Sequence, residues 1–158
     1  MNAVVVSIDQ LRERVGREVA VSEWIEIPQT VIDEFAEATR DAQWIHVDSE
    51  RAARESPFRD SNGRRCTVAH GFLTLSLLTH FIESCLRITG ARAGINVGFD
   101  RVRFVTPVPS GSLLRGRFAL ARFKDLRGGV QLSWLVTIER RGEERPALTA
   151  EWVTRLML

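Results

Sequence analysis

The hydrophobic positions change their spacing near Gly90, and the chain divides into two halves of different character. In the first half, SIDQLRERVG (Ser7 to Gly16) is predicted as a short helix stopped by glycine. VSEWIEI (Val21 to Ile27) alternates in the manner of a strand, and Pro28 stops it. From Thr30, TVIDEFAEATRD places Ile32, Phe35, Ala36 and Thr39 on one face, which predicts an amphipathic helix ending near Arg40. Thr30 with Asp33 forms a start resembling a capping box. QWIHVD follows as an irregular stretch, and Asp48 or Ser49 caps a short helix, SERAARES. Ser56 to Arg65 is a loop by composition. From Gly71 to Thr89 the pattern is helical, with Gly90 as its stop and apolar residues almost all round its first three turns. Such a helix is buried on most sides.

After Gly90 the period falls to two. Ile95 to Val105 sets Val97, Phe99, Arg101, Arg103 and Val105 on one side and Asp100, Val102 and Phe104 on the other. Leu113 to Phe123, Val130 to Arg140 and Ala147 to Leu156 are further strands, joined by hairpin-sized, turn-rich connectors. An antiparallel meander is expected, without repeats or low-complexity tracts. Long strands need their inner face covered, and the helix at 71–89 is the candidate cover. The expectation is therefore an α+β chain, one domain over 1–158, with a sheet wrapped around a central helix: the hot-dog architecture. One such unit leaves a sheet edge open, and pairing two units edge to edge closes it, so a homodimer is expected.

Composition narrows the classes without choosing among them. Of 158 residues 44% are hydrophobic and 27% charged, which is ordinary for a folded domain. A formal charge of +2, from 22 basic and 20 acidic residues, is too balanced to argue for nucleic acid. The two cysteines, Cys66 and Cys85, form no metal or redox motif and read as free thiols in a reducing compartment. The N-terminus lacks the basic region and cleavage site of a signal peptide. The longest uncharged apolar segment, Gly71 to Ile82, is shorter than the about 20 residues that span a bilayer. A cytoplasmic protein without membrane or nucleic-acid partners is the expectation.

The chemistry concentrates in RDAQWIHVD, Arg40 to Asp48. Asp41 and His46 flank an apolar Trp44–Ile45 step just beyond a helix end. A carboxylate and an imidazole that turn inward around one water can transfer protons, each transfer contributing about 10²–10⁴-fold. Taken singly, Asp41 is an ordinary loop residue and His46 an ordinary core histidine. Together with VAHG (Val68 to Gly71), which opens the apolar helix, they favour a site. Gly71, opening that helix, offers an unpaired backbone N–H to a developing oxyanion. His70 is assigned at most a role behind the site, His80 a structural one, and Asp48 a cap. Trp44 either walls an acyl tunnel or anchors its loop.

The pattern Asp41-x-x-x-x-His46-x-Asp48, then VAHG, then FDRVRFVTPVPSGSLLRGR (Phe99 to Arg117), resembles the MaoC-like dehydratases, which include the (R)-specific enoyl-CoA hydratases and nodulation-protein-N-like hydratases. The resemblance runs from about Thr30 to the C-terminus. It implies a hot-dog fold and reversible syn addition of water to a trans-2-enoyl thioester, with no metal or redox cofactor and coenzyme A as the substrate's carrier. It implies that Asp41 and His46 hold and activate the water and that Gly71 binds the thioester carbonyl. It further implies that Thr79 supplies a small hydroxyl near the site and that Asn96, in NVG, lies beside it. Arg64, Arg65, Arg101 and Arg103 are candidates for coenzyme A phosphates, against the plainer alternative of exposed charge. Two other functions stay open: a hot-dog thioesterase, which needs only a carboxylate, and a non-catalytic acyl-thioester-binding module.

Overall fold

The computed structural model describes residues 3–158. Strand β1 (Val4–Ser7) leads into helix α1 (Ile8–Arg12), then β2 (Arg17–Val21) and β3 (Ile25–Ile27). Three helices follow: α2 (Gln29–Thr39), α3 (Trp44–Val47) and α4 (Ser49–Glu55). The central helical segment comprises α5 (Gly71–Ser76) and α6 (Leu78–Cys85) and runs directly into β4 (Leu86–Thr89). The long strands β5 (Ala93–Phe104), β6 (Ser112–Leu126), β7 (Gly129–Arg140) and β8 (Leu148–Met157) complete the chain.

The main sheet has the order β2-β6-β7-β8-β5, all antiparallel, with β3 also pairing β6. Its inner face packs Leu114, Phe118, Leu120, Leu132, Trp134, Ile138 and Leu148 around Phe81 of α6, each at most 1% exposed. Gly116 lets helix and sheet meet: a Cβ there would lie 2.9 Å from the Cβ of Phe81 and 2.8 Å from the Phe118 ring. A sheet closed over a buried helix is the expected α+β hot-dog arrangement.

Several local expectations are corrected. The first helix stops at Arg12, and its Ser7–Gln10 capping box was not foreseen. The strand expected over Val21 to Ile27 splits, because Ser22 turns aside to exchange hydrogen bonds with Gly116. Pro28, not Thr30, occupies the N-cap of α2; Asp33 instead accepts from Gln29 Nε2 at 2.7 Å. QWIHVD contains a helical turn, α3. The central helix is interrupted at Leu77 and ends at Cys85, not Thr89. Leu86–Thr89 pairs in parallel with β1, a partner far away in the chain that local periodicity does not reveal.

The second half is a meander only from β6 to β8; β5 crosses over to pair with β8. Register shifts between Asn96 and Gly98 and between Phe99 and Arg101 break the regular alternation read for this strand. His80 lies on α6 as expected but is exposed, its ring in an edge contact with that of Phe81. Asp48 does cap α4, accepting from the Arg51 N–H at 2.8 Å. Cys66 is half-buried and Cys85 buried, both free, and burial pushes the Cys85 thiol up to about 11. Among the described residues no helix is long and apolar enough to cross a membrane.

Candidate active site

Helix α2 ends on Arg40, whose φ of 64° is left-handed and turns the chain sharply. Such a backbone is costly for a residue with a Cβ. Hydrogen bonds to the Asp41 carbonyl and from the His46 ring hold the chain on the far side of the turn. Asp41 is the first residue after it, and α3 then presents His46 inward, 8% exposed. The segment leading to α5 runs alongside: the Val68 N–H donates to the Ile45 carbonyl at 3.0 Å. The imidazole of His46 in turn donates from Nδ1 to the Val68 carbonyl at 2.6 Å. A carbonyl can only accept, so Nδ1 carries the proton and Nε2 keeps its lone pair in the neutral ring. Burial holds His46 below its ordinary pKa, with a smaller push in the same direction from His70 against opposing help from the Val68 bond and Asp41. The neutral, base-competent form therefore persists to lower pH than in a free histidine.

His70 stands against this pair. Its ring stacks on that of His46, centroids 3.7 Å apart and 24° between planes. Its Nε2 donates to the Asp41 backbone carbonyl at 2.9 Å and lies 3.9 Å from Asp41 Oδ2. Asp41, His46 and His70 each bring a side-chain nitrogen or oxygen within 4.8 Å of the others. The Asp41 carboxylate does not turn inward as expected: its side chain is 56% exposed, at the rim, while the two imidazoles lie behind it.

Two histidines and a carboxylate could hold a transition metal. The stacking weighs against it. A metal sits in the plane of each imidazole it binds, about 2.0–2.1 Å from the nitrogen, whereas these rings lie face to face with their lone pairs in nearly parallel planes. The arrangement suits proton transfer better than chelation.

Gly71 follows His70 at the start of α5 and lines an apolar groove of about 340 Å³ with Phe58, Thr74, Phe104 and Val108. A Cβ on Gly71 would approach the Phe104 ring to 3.0 Å, so glycine leaves this end of the groove open. Thr79 and Asn96 are brought together elsewhere. They line a separate cleft of about 260 Å³ between α6 and β5, walled by Ile82, Trp134 and Trp152. The structure thus groups Asp41 with His46 and His70, sets Gly71 in a neighbouring groove that neither Asp41 nor His46 lines, and puts Thr79 with Asn96 further along the central helix.

Trp44 anchors its loop: it is half-buried and covered by the Arg51 guanidinium at 4.3 Å from the ring centre. Of the four candidate phosphate-binding arginines, all exposed, Arg65 donates to the Ser56 carbonyl at 2.6 Å within its own loop. Sequence reasoning set His70 behind the site, where the structure has it, and missed Gln29. The Gln29 amide donates to the His46 carbonyl at 2.7 Å, and its oxygen accepts from the Thr67 hydroxyl, tying α2, α3 and the segment before α5 together. The His in VAHG was a visible signal for the first; a glutamine opening a helix offers none for the second.

Comparison with known proteins places the chain in a family. A family model for the MaoC like domain matches residues 10–136. Nodulation protein N of Rhizobium leguminosarum bv. viciae is 49% identical over 152 residues, covering 94% of this chain and 90% of that protein. The 3-hydroxyacyl-thioester dehydratase Z of Mycobacterium tuberculosis (strain ATCC 25618 / H37Rv) is 41% identical over 150 residues, covering 94% and 95%. Among solved structures, the (R)-hydratase from A. caviae involved in PHA biosynthesis superposes with a TM-score of 0.64 at 21% identity, over 89% of this chain and 94% of its own, which bears on the fold alone. The site lies within a hot-dog domain, and the chain belongs to the MaoC-like domain family.

Proposed function

We propose that the protein is an (R)-specific enoyl-CoA hydratase, working in reverse as a 3-hydroxyacyl-thioester dehydratase. The observation that carries this is the His46 ring, held by Val68 in the tautomer that leaves Nε2 free, beside the Asp41 carboxylate. The name of the 41% identical relative, a 3-hydroxyacyl-thioester dehydratase, supports the same chemistry.

In this proposal a water is held between Asp41 and His46. As its oxygen bonds to Cβ of the trans-2-enoyl thioester, the pair takes one proton from it, and a proton is returned to Cα on the same face. The π electrons of the double bond pass through an enolate whose oxygen accepts from the Gly71 N–H. Removal of such a donor costs on the order of 3 kcal/mol in turnover. The groove beside Gly71 admits the thioester, and the cleft with Thr79 and Asn96 takes more distant parts of the acyl chain. Addition of water changes no overall oxidation state, so the reaction calls for no redox cofactor, and in this proposal the Asp41–His46 pair activates the water without a metal. A cytoplasmic location is part of the proposal, in keeping with a coenzyme A thioester substrate. The working form is a homodimer joined through β5, whose outer edge is unpaired among the described residues and carries exposed Ile95, Val97 and Phe99.

The test is crotonyl-coenzyme A, followed by loss of the conjugated enoyl absorbance with free thiol measured in the same tube. Enoyl loss without thiol is the expected result. Thiol release would replace the proposal with a thioesterase. Silence on both, repeated with longer acyl chains, would leave a binding module.

A further inference from the structure

His70 has three features that a packing role does not require. It is 3% exposed, yet it is an imidazole where an apolar ring would fill the same volume. With Nε2 donating to the Asp41 carbonyl, the neutral ring has a bare Nδ1, and that atom is buried with no hydrogen-bond partner. A buried polar atom left unpaired is a standing cost to the fold. Finally, its face lies on His46 at 3.7 Å, with Phe35 against it at 5.1 Å.

From these contacts we infer that His70 is a positioning residue for the Asp41–His46 pair. Its two contacts do two jobs. The Nε2–H bond pins the backbone of Asp41 just after the strained turn at Arg40, which fixes where the rim carboxylate starts. The stacked face blocks rotation of the His46 imidazole about its Cβ–Cγ bond, so that Nδ1 stays on Val68 and Nε2 keeps one direction. The inference rests on the proposed function for its catalytic meaning, while the positioning itself is a statement about His46. A misplacement of about 1 Å at a reacting group costs on the order of 10²-fold, so an orienting contact of this kind has a measurable consequence.

Two substitutions separate the jobs. His70→Phe keeps a stacked ring and the volume but removes the donor. His70→Gln keeps an N–H that reaches the Asp41 carbonyl but removes the stack. The charges that bear on His46 are those of Asp41, which favours its cation, and of His70, which opposes it. The readouts are kcat and KM with crotonyl-coenzyme A across pH, and the ¹⁵N shifts of the His46 ring, which report its tautomer and titration midpoint without any substrate.

In the wild type a single Nδ1–H tautomer is expected. In His70→Phe the stacked ring keeps the single tautomer, while the His46 midpoint and the acid limb of kcat shift together. In His70→Gln the single tautomer gives way to a mixture. Each variant loses about tenfold or more in kcat with KM within about threefold. Wild-type kcat together with a wild-type midpoint and tautomer in both variants would overturn the inference. So would unfolding of both, since a purely structural role would then suffice. If the wild type itself turns over no enoyl thioester, the functional proposal fails, and the ¹⁵N measurements still decide the positioning.

Discussion

The side-chain amide of Gln29 donates to the backbone carbonyl of His46 at 2.7 Å, joining the first turn of α2 to the single turn that carries the imidazole. The same amide reaches Asp33, and its oxygen accepts from Thr67, which is 2% exposed. Gln29→Leu would strip partners from the Thr67 hydroxyl and the His46 carbonyl together. The expected cost is about 1–3 kcal/mol of stability. Because the freed turn carries the base, kcat should also fall about tenfold. Urea unfolding and steady-state kinetics on one preparation check both. Unchanged kinetics with lost stability would show that α3 is held in place without this bond.

The proton-transfer pair makes the sharpest kinetic prediction. Asp41→Asn and His46→Gln should each lower turnover by at least about 10²-fold with the fold intact. The double variant should be little worse than either single one, because residues acting on one water lose their joint effect once. Additive losses in a double-mutant cycle would mean that the two act separately.

What the sequence disclosed depends on range. The 3.6-residue face of α2 and the two-residue period of β6, β7 and β8 are local, and these elements were legible. Asp41 and His46 were legible because they are five residues apart with an apolar step between them. The stack of His70 on His46 and the bridge from Gln29 to Thr67 join residues 24 and 38 positions apart, and no local pattern records them. Leu86 to Thr89 (LRIT) follows the helical pattern without a break and fits helix or strand; its pairing with β1 decided the matter. The bulges of β5 likewise arise from its pairing with β8, not from its own alternation.

Burial of His46 also makes stability depend on pH. Its pKa lies below the ordinary 6.5, mainly from desolvation. The unfolded chain therefore binds a proton at this position at higher pH than the native protein does. This contribution to stability is complete above about 6.5 and is lost as pH falls from there through the native value. Urea midpoints measured at about pH 7.5, 6.5 and 5.5 should decline over the lower interval, and His46→Gln should flatten that decline. An identical slope in the variant would assign the effect to other groups.

Gly71→Ala tests the groove without touching a titratable group. The new methyl meets the Phe104 ring at 3.0 Å, and Phe104 is half-exposed and free to yield, so the fold should survive. The backbone N–H is retained, but the ligand's approach to it is crowded. The expected result is a fall in kcat/KM of about tenfold or more, with a melting temperature within a few degrees of wild type. A variant with wild-type kcat/KM would remove the Gly71 end of the groove from the substrate's path.

The edge of β5 gives the last prediction. Ile95, Val97 and Phe99 are 48%, 47% and 40% exposed on a strand with one unpaired side among the described residues. An exposed apolar edge of this length invites another strand, and a second copy offers the same edge in a self-complementary pairing. Light scattering should give twice the 17.9 kDa chain mass. Charges placed on the edge by Val97→Glu with Phe99→Glu should return the protein to one chain, because burying two carboxylates against their symmetry mates is costly. The same variant should lose activity if the clefts beside β5 need the partner to close them. A wild-type mass of one chain at micromolar concentration would end the dimer proposal and leave the β5 edge as solvent-exposed surface.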